Sequence, residues 1–147
     1  MIKCNIINSE LCRALALARH KDPIVLCDGN MPIPNGCRII DLSLTRGTPT
    51  LLQTLRAILN DFVCERYDVY ELMPQYNPEM YQTIQALLPQ LPGGTVDQST
   101  LQQLMLQAKA VVRTGDMGSC CTMVLYSASG MEKYVQKFSI SFDAEEE

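Results

Sequence analysis

The chain has 147 residues but only one histidine and no tryptophan. A single histidine, His20, cannot complete a Cys₂His₂ zinc set, and no C-x-x-C pair occurs, so no metal site is expected. The seven cysteines are odd in number and follow no framework spacing, which argues for reduced thiols in the cytoplasm rather than a disulfide scaffold. There is no block of lysines and arginines, and the formal net charge of −4 with a pI near 5.0 argues against a nucleic-acid partner. No apolar run is long enough to cross a bilayer, and the N-terminus lacks the apolar core and cleavage site of a signal peptide. G-x-S-x-G, Walker, H-E-x-x-H and G-x-G-x-x-G patterns are all missing. Gly93-Gly94 alone reads as a loop, not a phosphate cradle.

What the chain does have is core. Hydrophobic residues make up 47% and charged residues 19%, the balance of a globular domain. Asn8-Ser9-Glu10 starts a helix that carries Leu11, Leu15 and Ala18 to about Arg19-His20, where Pro23 stops it. Ile24–Cys27 is a continuous apolar run, the pattern of a strand covered on both faces. Further strands are expected at Arg38–Leu44, within Val63–Met73, at Ala110–Val112 and at Cys120–Tyr126. Helices are expected at Pro49–Asp61, Pro78–Leu88 and Ser99–Ala108. Strands alternating with helices predict an α/β fold. One domain is expected over 1–130, followed by an extension over 131–147. There Tyr134, Val135, Phe138, Ile140 and Phe142 suggest an edge or swapped strand with a frayed acidic end.

With the usual catalytic signatures missing, acid–base chemistry remains. His20 is the one side chain whose ordinary pKa lies near neutrality. Asp28 follows eight residues later, after the buried strand, in the loop Asp28-Gly29-Asn30-Met31-Pro32-Ile33-Pro34. The expected layout brings imidazole and carboxylate to one end of that strand, where α/β proteins keep their sites. The bland alternatives are a helix-capping histidine and an ordinary Asp-Gly turn.

The run from Asn8-Ser9 through His20 and Asp28–Pro34, then Arg38-Ile39-Ile40-Asp41 and Leu44-Thr45-Arg46-Gly47-Thr48-Pro49, resembles the ribose/fucose mutarotase (RbsD/FucU) family. Ala110-Val111-Val112-Arg113-Thr114-Gly115-Asp116 resembles the family's Arg-Ser/Thr-Gly-Glu segment, and order and spacing hold over roughly residues 5–128. The resemblance implies a three-layer α/β/α fold with a mixed, largely parallel sheet. It also implies a cytoplasmic, cofactor-free enzyme that interconverts sugar anomers and assembles as a homo-oligomeric ring (decamer or octamer) with sites at subunit boundaries. On this reading His20 exchanges protons and Asp28 holds a sugar hydroxyl or the imidazole. Gln98, Arg113, Asp116, Cys120 and Thr122 are the candidate substrate contacts. Cys120 and Thr122 stand where the family carries a Tyr-x-Asn pair, and Gln98 where the ribose branch has a second histidine. Cys120 is a poor replacement for a phenol, so the sugar stays open between ribose, fucose and another monosaccharide. A non-catalytic sugar-binding protein and a purely structural ring remain as alternatives.

Overall fold

Asn8 opens the first helix, α1 (Ser9–Leu17), by accepting the Leu11 N–H at 2.9 Å, and Leu11 and Ala14 turn inward. The computed structural model describes Ile2 and residues 4–129. The extension expected over 131–147 lies outside them. After α1 the chain makes a tight turn at Arg19–Asp22, with Lys21 left-handed at φ 70°, and enters β1 (Pro23–Cys27), buried as its apolar run requires. The other elements follow as β2 (Ile39–Asp41), α2 (Leu51–Asp61), β3 (Cys64–Tyr70), α3 (Met73–Tyr76) and α4 (Pro78–Leu87). The last four are β4 (Gly93–Val96), α5 (Gln98–Gln107), β5 (Ala110–Arg113) and β6 (Met123–Ser127).

The strands form one sheet in the order β2-β5-β1-β6-β3-β4. Five run the same way, and β6 is antiparallel to β1 and β3. Helices lie on both faces, so the three-layer, largely parallel arrangement implied by the resemblance is what the chain adopts. Ile24 and Leu26 point into a core shared with α1, α2 and α4, while Val25 and Cys27 meet Leu101 and Met105 of α5.

Helix α3 was not expected, β2 is shorter than the expected Arg38–Leu44, and two further elements differ in ways that bear on the site. Gly93-Gly94 is not a loop but the start of the edge strand β4. A Cβ at Gly93 would strike the Tyr67 ring, and one at Gly94 the Asp68 carboxylate. Close packing, not turn geometry, therefore explains the glycines. Asp68 uses the room. It accepts both of its bonds to Arg66 Nη2 at 2.9 Å and one from the Tyr126 hydroxyl at 2.8 Å, tying β3 to β6. The last strand also starts later than expected, at Met123. Cys120 lies before it in a left-handed turn at φ 55°.

Asp116, a candidate substrate contact, is engaged by the backbone. Its Oδ2 accepts the Leu51 N–H at the start of α2 at 2.9 Å, and its Oδ1 accepts the Gly118 N–H at 2.8 Å. Its own carbonyl accepts from Gly29, so this buried acid links three loops at one end of the sheet. Gly115 beside it packs so closely on the Thr45 and Thr48 carbonyls that no Cβ fits. Replacing Asp116 with alanine orphans two backbone donors and is expected to cost about 2–3 kcal/mol of stability in denaturant unfolding. An unchanged midpoint with weakened substrate binding would instead give Asp116 a role in reading the substrate.

Candidate active site

Sheet register builds the candidate site. Asp41 pairs with Arg113, Arg113 with Cys27, and Tyr70 with Val96. Because Met123 pairs with both Leu26 and Val69, the next residue back, Thr122, falls between Cys27 and Tyr70. The Tyr70 N–H donates to the Thr122 carbonyl at 2.9 Å, in keeping with this register. One row thus crosses the sheet, Asp41–Arg113–Cys27–Thr122–Tyr70–Val96, with its side chains on the α5 face by the two-residue alternation. It lies at the C-terminal end of the parallel strands, the end at which open α/β sheets bind ligands.

Asp28 follows Cys27, one residue beyond this row. It is 7% exposed, with Oδ1 accepting the Asn30 N–H at 2.9 Å and Oδ2 accepting the Thr122 hydroxyl at 3.2 Å. Burial raises its carboxyl above the ordinary range, against the lowering effect of these hydrogen bonds. Cys120 is close enough for the Asp28 charge to add to the rise that burial causes in its thiol. Arg113 Nη1 donates to Asp41 Oδ2 at 3.1 Å. Its Nε is buried and has no hydrogen-bond partner among the described residues. Gln98 opens α5 two residues beyond Val96, at the same end of the sheet. Beside Asp28 a cleft of about 270 Å³ opens between Gly29, Asn30, Ser43, Thr45, Arg46 and Met117.

His20 is not there. It sits in the turn before β1, and the five residues of that strand separate it from Asp28, about 17 Å at the usual rise. The layout expected from sequence, with both groups at one end of the strand, is corrected: they occupy opposite ends. The Lys21 N–H donates to the Ser127 carbonyl and the Ser127 N–H to the Asp22 carbonyl, which fastens this turn to the far end of β6. There the half-exposed imidazole meets a different carboxylate, Glu65 on β3, with Nε2 and Oε2 2.8 Å apart. A carboxylate oxygen accepts, so in the tautomer with its proton on Nε2 the ring donates to Glu65 and Nδ1 is left as the acceptor.

Sequence reasoning missed Glu65 and Tyr70. Neither carries a local signal, since only the pairing of β3 with β6 brings one to His20 and the other to Thr122. Among the described residues no group of three or more His, Cys, Asp or Glu side chains is gathered that could hold a metal, and no helix is long and apolar enough to cross a membrane.

The sequence profile of the RbsD / FucU transport protein family matches residues 1–129. D-ribose pyranase of Geobacillus thermodenitrificans strain NG80-2 is 37% identical over 127 residues, covering 86% of this chain and 96% of its own. D-ribose pyranase of Haemophilus influenzae strain 86-028NP is 33% identical over 135 residues, covering 86% and 97%. Among solved structures, Bacillus subtilis RbsD complexed with D-ribose superposes with a TM-score of 0.83 at 29% identity, covering 87% of this chain and 98% of that one.

Proposed function

Because this chain belongs to the RbsD / FucU transport protein family, we propose that it is a cytoplasmic sugar mutarotase acting on D-ribose, with each site shared between two protomers of a ring. Its relatives at this identity are D-ribose pyranases, which favours ribose over fucose. The observation that carries the shared site is the separation of His20 and Asp28 by the whole length of β1. One pentose cannot touch both ends of a five-residue strand. It can touch His20 of one protomer and Asp28 of the next if the two ends meet at a boundary. Leu44 and Met117 beside the cleft are 79% and 44% exposed, apolar surface of the kind a second copy would cover.

Mutarotation needs a proton taken from the anomeric hydroxyl and one given to the ring oxygen as the bond between that oxygen and the anomeric carbon breaks. The open aldehyde then turns about its first carbon–carbon bond and recloses on its other face. His20 supplies the exchange, with Nδ1 taking the hydroxyl proton while Glu65 holds the ring in place. Asp28 retains lone pairs beyond its bonds to Asn30 and Thr122 and accepts a sugar hydroxyl. Thr122, Arg113, Gln98 and Cys120 complete the surface that reads the sugar.

Tyr70 belongs with them. It is a cross-strand neighbour of Thr122 on the same face, within reach of whatever Asp28 holds. Replacing Tyr70 with phenylalanine is expected to raise KM up to about tenfold, the size of one lost hydrogen bond, with kcat little changed. Unaltered KM would remove Tyr70 from the site. The function itself is tested by magnetisation-transfer NMR of anomer exchange on D-ribose and L-fucose. Faster exchange of ribose supports the proposal, and faster exchange of fucose alone moves the substrate. Saturable binding without exchange points to a sugar-binding protein in which Cys120 has cost the family's catalysis.

A further inference from the structure

Away from the sheet edge, a second cluster of reactive side chains sits where the N-terminal segment crosses α1. Cys4 Sγ donates to the Ile6 carbonyl oxygen at 3.0 Å, and Cys12 Sγ donates to the same oxygen at 3.2 Å. Two thiols that donate to one carbonyl oxygen lie side by side. Both are partly exposed, unlike Cys27, Cys64 and Cys121, whose thiols burial pushes up to about 12. The backbone around them differs in stiffness. Cys12 lies in the first turn and a half of α1, whereas Cys4 belongs to a segment without regular structure. That segment is held by Asp61 at the end of α2, whose carboxylate accepts the Ile6 N–H at 2.9 Å and the Asn5 N–H at 3.4 Å. An apolar pocket of about 240 Å³ lies beneath, between Ile2, Ile6, Leu15, Ala16 and Phe62, and leaves room for the segment to shift.

We propose that Cys4 and Cys12 form a dithiol site that low-molecular-weight disulfides such as oxidised glutathione convert reversibly to an intrachain disulfide. One thiolate attacks the small disulfide, forms a mixed disulfide and releases one small thiol. The second thiolate then attacks the protein sulfur of that bond, closes Cys4–Cys12 and releases the other. Two protein thiols are oxidised, and one disulfide is reduced to two thiols. A disulfide needs its two Cβ atoms about 3.8 Å apart. Sulfurs that already share one acceptor need only side-chain rotation and a small movement of the irregular segment to meet that requirement. The bond would fasten the N-terminal segment to the helix that leads to His20.

The neighbouring groups give the site its character. Burial, Cys12 and the Asp61 carboxylate all hold the Cys4 thiol above its ordinary pKa. Closure is therefore favoured by proximity and not by an unusually acidic thiol.

The test uses the intact protein and oxidised glutathione, with free thiols alkylated before digestion. Lys3 and Arg13 bound one tryptic peptide, residues 4–13, that contains both cysteines and no others. The expected result is this peptide two hydrogens lighter than its dithiol form, unalkylated, and restored to double alkylation by dithiothreitol. With Cys12→Ser the same peptide is expected to retain glutathione on Cys4, because nothing displaces it. Circular dichroism confirms that the variant is folded, and Cys4→Ser repeats the experiment from the other side. A wild-type peptide that stays doubly alkylated, or that accumulates glutathione as Cys12→Ser does, would overturn the proposal. So would a link from either cysteine to Cys37 or Cys120 in place of the 4–12 bond.

Discussion

Replacing His20 with alanine is expected to lower the exchange rate of D-ribose anomers by about 10²–10⁴, the usual worth of a positioned general acid–base. The same change should leave the fold alone. The imidazole is half exposed and pairs with Glu65 at 2.8 Å, an interaction of about 0.2–1 kcal/mol at a surface. Activity and stability are thus expected to part company at this residue. Unfolding midpoints of wild type and His20→Ala measured beside NMR exchange rates check both halves. Retained exchange would transfer the proton to another group. Lost exchange together with a large drop in midpoint would give His20 a structural role instead.

Asp28→Asn is expected to separate the two properties in the opposite sense, abolishing most exchange while making the protein more stable at neutral pH. The physical reason is the carboxylate's burial. Its pKa in the folded protein is raised chiefly by desolvation, so over the window from the ordinary carboxylate pKa up to the folded value the native state binds more protons than the unfolded chain. Stability then falls as pH rises through that window, and at neutral pH the full penalty is present. Asparagine keeps the acceptor for the Asn30 N–H, and the Thr122 hydroxyl can turn to accept from its amide. The expected gain is about 1 kcal/mol, or a rise of about 2–4 °C in Tm for a chain this size. The gain should vanish below pH ~4, where the unfolded carboxyl is protonated. A variant less stable than wild type at pH 7 would show that the hydrogen bonds of the charged form outweigh its burial. Such trade-offs mark sites where binding requires a charge that folding alone disfavours.

Much of the fold was legible because it rests on local pattern. Ile24–Cys27 can only be a strand buried on both faces, and Leu51, Leu55 and Ile58 recur at helical spacing behind the Thr50 capping box. Strand β4 was not legible. Gly93-Gly94 has no strand propensity and pairs with β3 only because Tyr67 and Asp68 need the space a side chain would fill. The four-residue helix α3 is too short to leave a period. At the site, sequence located Asp28 after β1 and named Thr122 a substrate contact through the family resemblance. It put Cys120 in a strand because β-branched and sulfur-containing residues follow it, although its φ of 55° belongs to a turn. The placement of His20 failed for a simpler reason. A helix end and a loop flanking one strand are near in sequence, but the strand between them holds them apart. Glu65 and Tyr70 gain their positions from pairing across β6 and could be found only in three dimensions.

The shared site is tested most directly by subunit complementation. His20→Ala and Asp28→Asn chains, each inactive alone, are co-expressed, co-purified through separate tags, and assayed for D-ribose anomer exchange by magnetisation-transfer NMR. If His20 of one protomer works with Asp28 of its neighbour, random assembly of a ring leaves about one site in four intact, and about a quarter of wild-type exchange returns. If both residues act within one chain, the mixed assembly stays as inactive as its parents, and the account is contradicted; a parent that keeps its exchange contradicts it as well.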